Sequence, residues 1–184
     1  MESSLTNTGA LFFIGAFMLI IVSYQFQSAE LTNQNVLDAR NHTLVETTRL
    51  LLRQELAKIG QEANPTSSLI VADDDQIMYK ADVDSDGVVD TVSFYLKKFR
   101  QSPFENEDIK KFVRKVNNSE EEFAYRGITN IKFFYFDENG IPTNSNSKIR
   151  FVGFKLTLQS SERYNDKYQT ITIEERLLPK NLWM

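Results

Sequence analysis

Four aspartates fall within nine residues of this chain: Asp82, Asp84, Asp86 and Asp90, with Gly87 between the last two. Counted from Asp82 they occupy the first, third, fifth and ninth places. That is the spacing of a calcium loop, in which alternate carboxylates turn inward as the chain curls round the ion. The glycine permits the sharp turn, and the carbonyl that follows it, here that of Val88, adds another oxygen. The twelfth place is Ser93 rather than a bidentate Glu, and strands rather than helices are expected on either side. An EF-hand is therefore excluded, while the D-x-D-x-D-G ligand scheme is kept. Without the Glu the affinity is expected to be weak, on the order of 10⁻⁴ to 10⁻³ M, as in extracellular modules. The competing reading is a plain hairpin turn at Asp86-Gly87, which leaves the other three carboxylates without a role. The preceding Asp73–Asp75 run reads as a solvated turn between strands.

Other chemistry is sparse. The chain has no cysteine, which excludes disulfides, thiolate catalysis and zinc–thiolate sites. His42 is the single histidine and reads as an exposed or interhelical polar residue. No nucleophile elbow, phosphate loop or dinucleotide fingerprint is present, so neither an enzyme nor a small-molecule substrate is expected. Lys97, Lys98, Arg100, Lys110, Lys111, Arg114 and Lys115 form a local basic cluster interleaved with Phe99 and Phe112. A DNA or other anionic partner is one reading of it. Glu105, Glu107 and Asp108 dilute the charge, and a solvated helix face is the other reading. A net charge of −4 gives no global basic field.

The elements that must position these residues begin with an uncharged run, GALFFIGAFMLIIVSYQF, from Gly9 to Phe26. As a helix it covers about 27 Å, close to the hydrocarbon thickness of a bilayer. A buried soluble helix and a cleaved secretory signal are the alternatives. The first Lys or Arg of the chain is Arg40, so the basic start of a secretory signal is missing and membrane orientation has almost no charge to set it. Beyond this run Leu37, Leu44 and Leu51 recur at seven, and Val45, Leu52, Leu56 and Ile59 fill the same side, giving an amphipathic stripe. Gly60 suits a helix C-cap and Pro65 bars continuation, so one helix is expected over 10–59.

After Pro65 the apolar period changes to alternation. Ile77, Tyr79 and Ala81 share one face, as do Val92, Phe94 and Leu96. Strands are expected again over 128–138, 148–159 and 167–176, with Asn139-Gly140 as a turn. The segment SPFE at Ser102 resembles a capping box, and Ile109, Phe112, Val113 and Val116 fall at helical spacing, so a short helix is expected near 103–116. The fold class is α+β: a long N-terminal helix, half apolar and half amphipathic, packed on an antiparallel sheet of four or five strands. The expected divisions are an N-terminal segment with the transmembrane helix (1–28), the amphipathic half with a linker (29–64), and a sheet domain (65–184).

This order of elements resembles that of type IV pilins and type II secretion pseudopilins. LLRQELAKIG (Leu51–Gly60) is similar to the helix end of PilW-like minor pilins. DDDQIMYKADVDSDGVVDTVSFYL (Asp73–Leu96) is similar to that family's strand pair round an aspartate loop, and ITNIKFFYFDENG and ERLLPKNL also match in order and spacing. The resemblance implies a structural subunit of a filament, single-pass in a bacterial inner membrane, with its sheet domain on the extracytoplasmic side or in a surface filament. Its partners would be the membrane, other pilin or pseudopilin subunits and a prepilin peptidase cutting at Gly9. The chain departs from the family pattern in two places. The residues before Gly9 include no Lys or Arg, and Ile14 stands where the family has Glu at the fifth position of the mature chain. The missing Glu resembles tip pseudopilins. It also fits a permanently anchored relative that docks DNA or an envelope partner without assembling.

Overall fold

Uninterrupted helix-compatible sequence yields a single helix, α1, from Glu2 to Ala57. This computed structural model describes residues 2–61, 68–123, 127–163 and 166–182, and within α1 it leaves undescribed the side chains of 2–11, 33, 34, 37, 38, 40 and 41. The chain divides into two units, Met1–His42 and Thr43–Met184.

In the first unit, Phe12–Thr32 is long and apolar enough to cross a membrane, and none of that span is buried. Phe12, Phe13, Leu19 and Phe26 are each more than two-thirds exposed. Two of the span's hydroxyls turn inward on the helix itself. Ser23 Oγ donates to the Leu19 carbonyl and Thr32 Oγ1 to that of Ser28, both at 2.8 Å. Such self-satisfaction is what a hydrocarbon surrounding demands of hydroxyl groups. Length and composition of this kind belong to membrane anchors and to signal sequences alike.

In the second unit, α1 continues to Ala57 and buries Val45, Thr48, Leu52 and Leu56, with Ile59 just beyond its end. Leu44 and Leu51 of the heptad series are half-buried flanks of that stripe. The helix ends at Ala57, two residues short of the expected 59, and the chain turns away at Gly60, whose amide donates to the Lys80 carbonyl at 3.0 Å. The Gly60 φ is +79°, and a Cβ there would meet Ser68 Oγ at 3.0 Å and the Asn181 carbonyl at 3.2 Å. Both conformation and space therefore require glycine. The Tyr79 hydroxyl donates to the Glu55 carbonyl at 3.0 Å, satisfying a helix-terminal acceptor.

Two antiparallel sheets form where one was expected. The first orders β1 (Leu69–Ala72), β2 (Gln76–Ala81), β3 (Asp90–Lys97), β4 (Lys111–Val116) and β5 (Ser119–Glu122) in sequence. The second orders β6 (Ile128–Phe136), β7 (Phe151–Gln159) and β8 (Thr170–Leu177). Ile77, Tyr79, Ala81, Val92 and Phe94 from the first sheet share one core with Ile131, Phe133, Tyr135, Val152, Phe154 and Leu156 from the second, and with the helix stripe. The β1–β2 turn joins the sheets through its backbone. The Asp73 carbonyl accepts from the buried Tyr135 hydroxyl at 2.8 Å, and the Asp74 carbonyl from the Phe133 amide at 2.8 Å. The three carboxylates of that turn stay exposed.

The helix expected near 103–116 is absent; its C-terminal half is β4. Ser102 bonds the amide of Phe104, two residues on, rather than capping a helix turn. Asn106 is buried and ties the segment to the second sheet, its Nδ2 donating to Gln159 Oε1 at 3.0 Å and to the Ser160 carbonyl at 3.1 Å. Phe112 then packs tilted on Phe94 and edge-on to Phe123, each at a centroid distance of 5.6 Å. Pairing with β3 and β5 satisfies the backbone of β4 on both sides, which overrides the local helical spacing.

One helix residue breaks the apolar rule. Thr48 is fully buried and its Oγ1 has no hydrogen-bond partner among the described residues. An unpaired buried hydroxyl costs on the order of 1 to 3 kcal/mol, and valine has nearly the same shape. Thr48→Val is therefore expected to raise unfolding stability by about 1 kcal/mol, measured by urea titration of the full chain in detergent.

Candidate metal site

The aspartate loop connects β2 to β3, and its first carboxylate is built in. Asp82 is 3% exposed. Its Oδ1 accepts the Ser85 amide at 2.7 Å and its Oδ2 accepts the Gly87 amide at 2.9 Å. Ser85 and Gly87 both have positive φ, +62° and +85°, and these left-handed turns swing the amides back onto Asp82. Asp86 Oδ1 accepts the Val88 amide at 2.7 Å, and Asp84 Oδ1 the Asp86 amide at 3.3 Å.

This curl brings carboxylate oxygens of Asp82, Asp84 and Asp86 within 4.8 Å of one another. Asp84 and Asp86 open to solvent while Asp82 forms the floor. Each Asp82 oxygen has one amide donor, which leaves a further lone pair for a cation. Local desolvation in the curled loop, reinforced by the charges of Asp86, Asp90 and Asp82, raises the Asp84 carboxyl above its ordinary value; its bond from the Asp86 amide only partly offsets this. Three crowded oxygen anions are a donor set for a hard divalent cation such as calcium.

Asp90 of the expected ligand scheme lies outside this group of three, and Val88 is 63% exposed. Asp90 lies at the loop's neck, 9% exposed, with its Oδ1 accepting Asn117 Nδ2 at 2.6 Å and its Oδ2 facing the Val83 amide at 3.4 Å. Asn117 completes the clasp by accepting the Thr91 amide on Oδ1 at 3.0 Å and donating its own amide to the Thr91 carbonyl at 2.8 Å. Asn117 sits in the β4–β5 turn with φ +53°, so the loop is fastened to a hairpin 27 residues away. Local spacing gives no sign of this clasp. The Asn-Asn pair between a basic and an acidic segment is the signal that could have located the turn.

Three members of the basic cluster, Lys97, Lys111 and Arg114, meet counter-charges within the fold. β4 lies beside β5, with Arg114 opposite Glu121 and Lys115 opposite Glu120. Lys97 Nζ reaches Glu120 at 2.9 Å, and Lys111 Nζ lies 3.9 Å from Glu122, not beside Glu107 as a helix would have placed it. Arg114 bridges Glu55 of α1 at 2.9 Å and Glu121 at 2.7 Å. Bonds from Lys97 and Tyr95 hold Glu120 below the ordinary carboxylate range, and the Tyr95 hydroxyl is in turn pushed up to about 12 by burial and by that contact. Lys98, Arg100, Lys110 and Lys115 have no ion-pair partner among the described residues. His42 is exposed. Gly9 lies within α1, in the stretch whose side chains are undescribed.

Comparison with known proteins finds no matching family model, no matching curated protein and no matching solved structure.

A carboxyl whose folded pKa is raised binds its proton more readily in the folded chain than in the unfolded one. Its ionisation therefore opposes folding above the folded pKa, and acid relieves the opposition. Asp84→Asn is expected to raise the thermal midpoint near neutral pH in chelator. The gain over the parent chain should vanish as pH falls through the carboxylate range, which thermal melts at stepped pH would reveal.

Proposed function

We propose that this chain is a membrane-anchored, pilin-like or pseudopilin-like structural subunit of a bacterial type IV pilus or type II secretion-type filament. The observation that carries the reading is α1 itself. Its unburied apolar span at Phe12–Thr32 is followed, in the second unit, by a helix stretch whose stripe packs on antiparallel sheets. The span anchors the chain in the inner membrane or in a filament core, and the sheet unit serves outside the cytoplasm. Asp82, Asp84 and Asp86 would hold calcium, which supplies the positive charge that lets three crowded carboxylates ionise together. The Val88 carbonyl remains a candidate further ligand. Asp90 lies outside the group of three and fastens the loop through Asn117.

The alternative of a non-assembling module that docks DNA through the basic cluster draws less support. Lys97, Lys111 and Arg114 already face glutamates of the same sheet.

Two experiments test the proposal. Expressed in bacteria, the full chain should stay with the inner membrane through alkaline extraction, and Phe17→Lys with Ile20→Lys should release it. Sequencing the N-terminus of the membrane form separates the routes. A cut after Gly9, with a cross-linked ladder of multimers, supports a filament subunit. An intact N-terminus without a ladder supports a lone anchor, and a cut beyond the span overturns anchoring. Separately, calcium on the order of millimolar should raise the thermal midpoint of the detergent-solubilised chain, and Asp84→Ala should remove most of that rise. No rise in the parent chain refutes calcium binding.

A further inference from the structure

The Asn139-Gly140 turn between β6 and β7 has no part in the readings above, yet it carries its own reactivity. Asn139 is exposed, and its carboxamide has no hydrogen-bond partner among the described residues. It is followed by glycine, whose nitrogen is the least hindered backbone nucleophile a side-chain amide can meet. Other exposed asparagines lack that neighbour. Asn118, Asn144 and the half-buried Asn146 each precede serine, and the Asn146 amide is committed to the Leu69 and Ile70 carbonyls at 3.3 and 3.1 Å.

A cation stands beside the glycine. An ideal Cβ on Gly140 would lie 3.1 Å from an Arg176 guanidinium nitrogen. That guanidinium is fixed, 4.0 Å from the centroid of the Phe136 ring and 4.3 Å from that of Phe151. A fixed positive charge at this range favours loss of the Gly140 amide proton and stabilises the oxyanion formed when that nitrogen adds to a carboxamide. One restraint opposes attack. The Gly140 amide donates to the Asp137 carbonyl at 3.0 Å, and this single bond must open first.

We propose that Asn139 is a self-modification site, converted by intramolecular deamidation that Arg176 assists. The Gly140 nitrogen gives its proton to solvent and bonds to Asn139 Cγ. The Cγ–Nδ2 bond then breaks, and ammonia leaves with a proton from water, closing a five-membered succinimide. Water opens that ring at either carbonyl, giving aspartate or isoaspartate, so one water is consumed and one ammonia released overall. The product carboxylate lies in the turn beside which the Arg176 guanidinium, from β8, stands. The isoaspartyl form also lengthens the main chain inside a turn that the Asp137 carboxylate pins through the Asn139 and Ile141 amides, each at 2.9 Å.

The test is timed incubation of the full chain in detergent at neutral pH and physiological temperature, followed by peptide mass mapping with isoaspartate detection. The amide-to-acid mass gain should appear first on the peptide holding Asn139, ahead of those holding Asn118, Asn144 and Asn146. Gly140→Ala should suppress it. Arg176→Gln should slow it about tenfold while Arg176→Lys retains most of the rate, as a charge effect requires. Earlier conversion at any of the serine-preceding asparagines, or none at Asn139, overturns the site. Equal rates in Arg176→Gln and the parent chain, with the thermal midpoint unchanged, overturn the role of Arg176. Faster conversion in Arg176→Gln with a lowered midpoint would show that Arg176 acts by holding the turn closed, and overturns it as well.

Discussion

The second unit depends on one seam, the apolar stripe of α1 shared by two sheets. Val45, Leu52, Leu56 and Ile59 sit in the same core as the inner faces of β2, β3, β6 and β7. Neither sheet is wide enough to bury its own apolar face alone, and a helix stripe covered on one side only would leave leucines in water. Charged side chains fix where along the seam the helix rests. Glu55 meets Arg114 on β4, while Arg49 and Arg53 meet Glu175 on β8 at 3.6 and 3.4 Å. Such part-buried pairs add less energy than the leucines do, but a one-residue slide of the helix would break both brackets. The seam thus supplies the cohesion and the brackets supply the register.

Much of this was legible because burial follows period. The helix stripe, the inner faces of β2 and β3 and the alternation of β7 all occur where the spacing of apolar residues predicts. Expectation failed where partners distant in sequence decide. Ile109, Phe112, Val113 and Val116 fit a helix by spacing alone. The competing signal was the charge order of KFVRKV, Asn-Asn, SEEE: a basic strand, a turn and an acidic strand, which is a hairpin written in charges. The split into two sheets was invisible for a related reason. Local patterning gives strands, but not how they divide between sheets or which distant contacts, such as the buried Asn106 to Gln159 and Ser160, tie the sheets together.

The aspartate loop shows how crowded negative charge is tolerated before any cation arrives. Backbone amides of Ser85, Gly87, Asp86 and Val88 are turned onto the carboxylates, so partial positive charges stand against most of the anions. The first, third and fifth places of the loop converge through local curl alone, whereas Asp90, at the ninth, is also held by Asn117 on another hairpin.

The acidic strand has an effect beyond balancing its neighbour. β5 is the outer strand of its sheet, and Ser119, Glu120, Glu121 and Glu122 are all exposed. Any chain seeking to extend that sheet by backbone pairing would have to bring its own side chains alongside three consecutive carboxylates. A second copy aligned edge to edge would set glutamates against glutamates, and like charges directly opposite are unfavourable. Lateral growth of the sheet into an aggregate is therefore discouraged at this border.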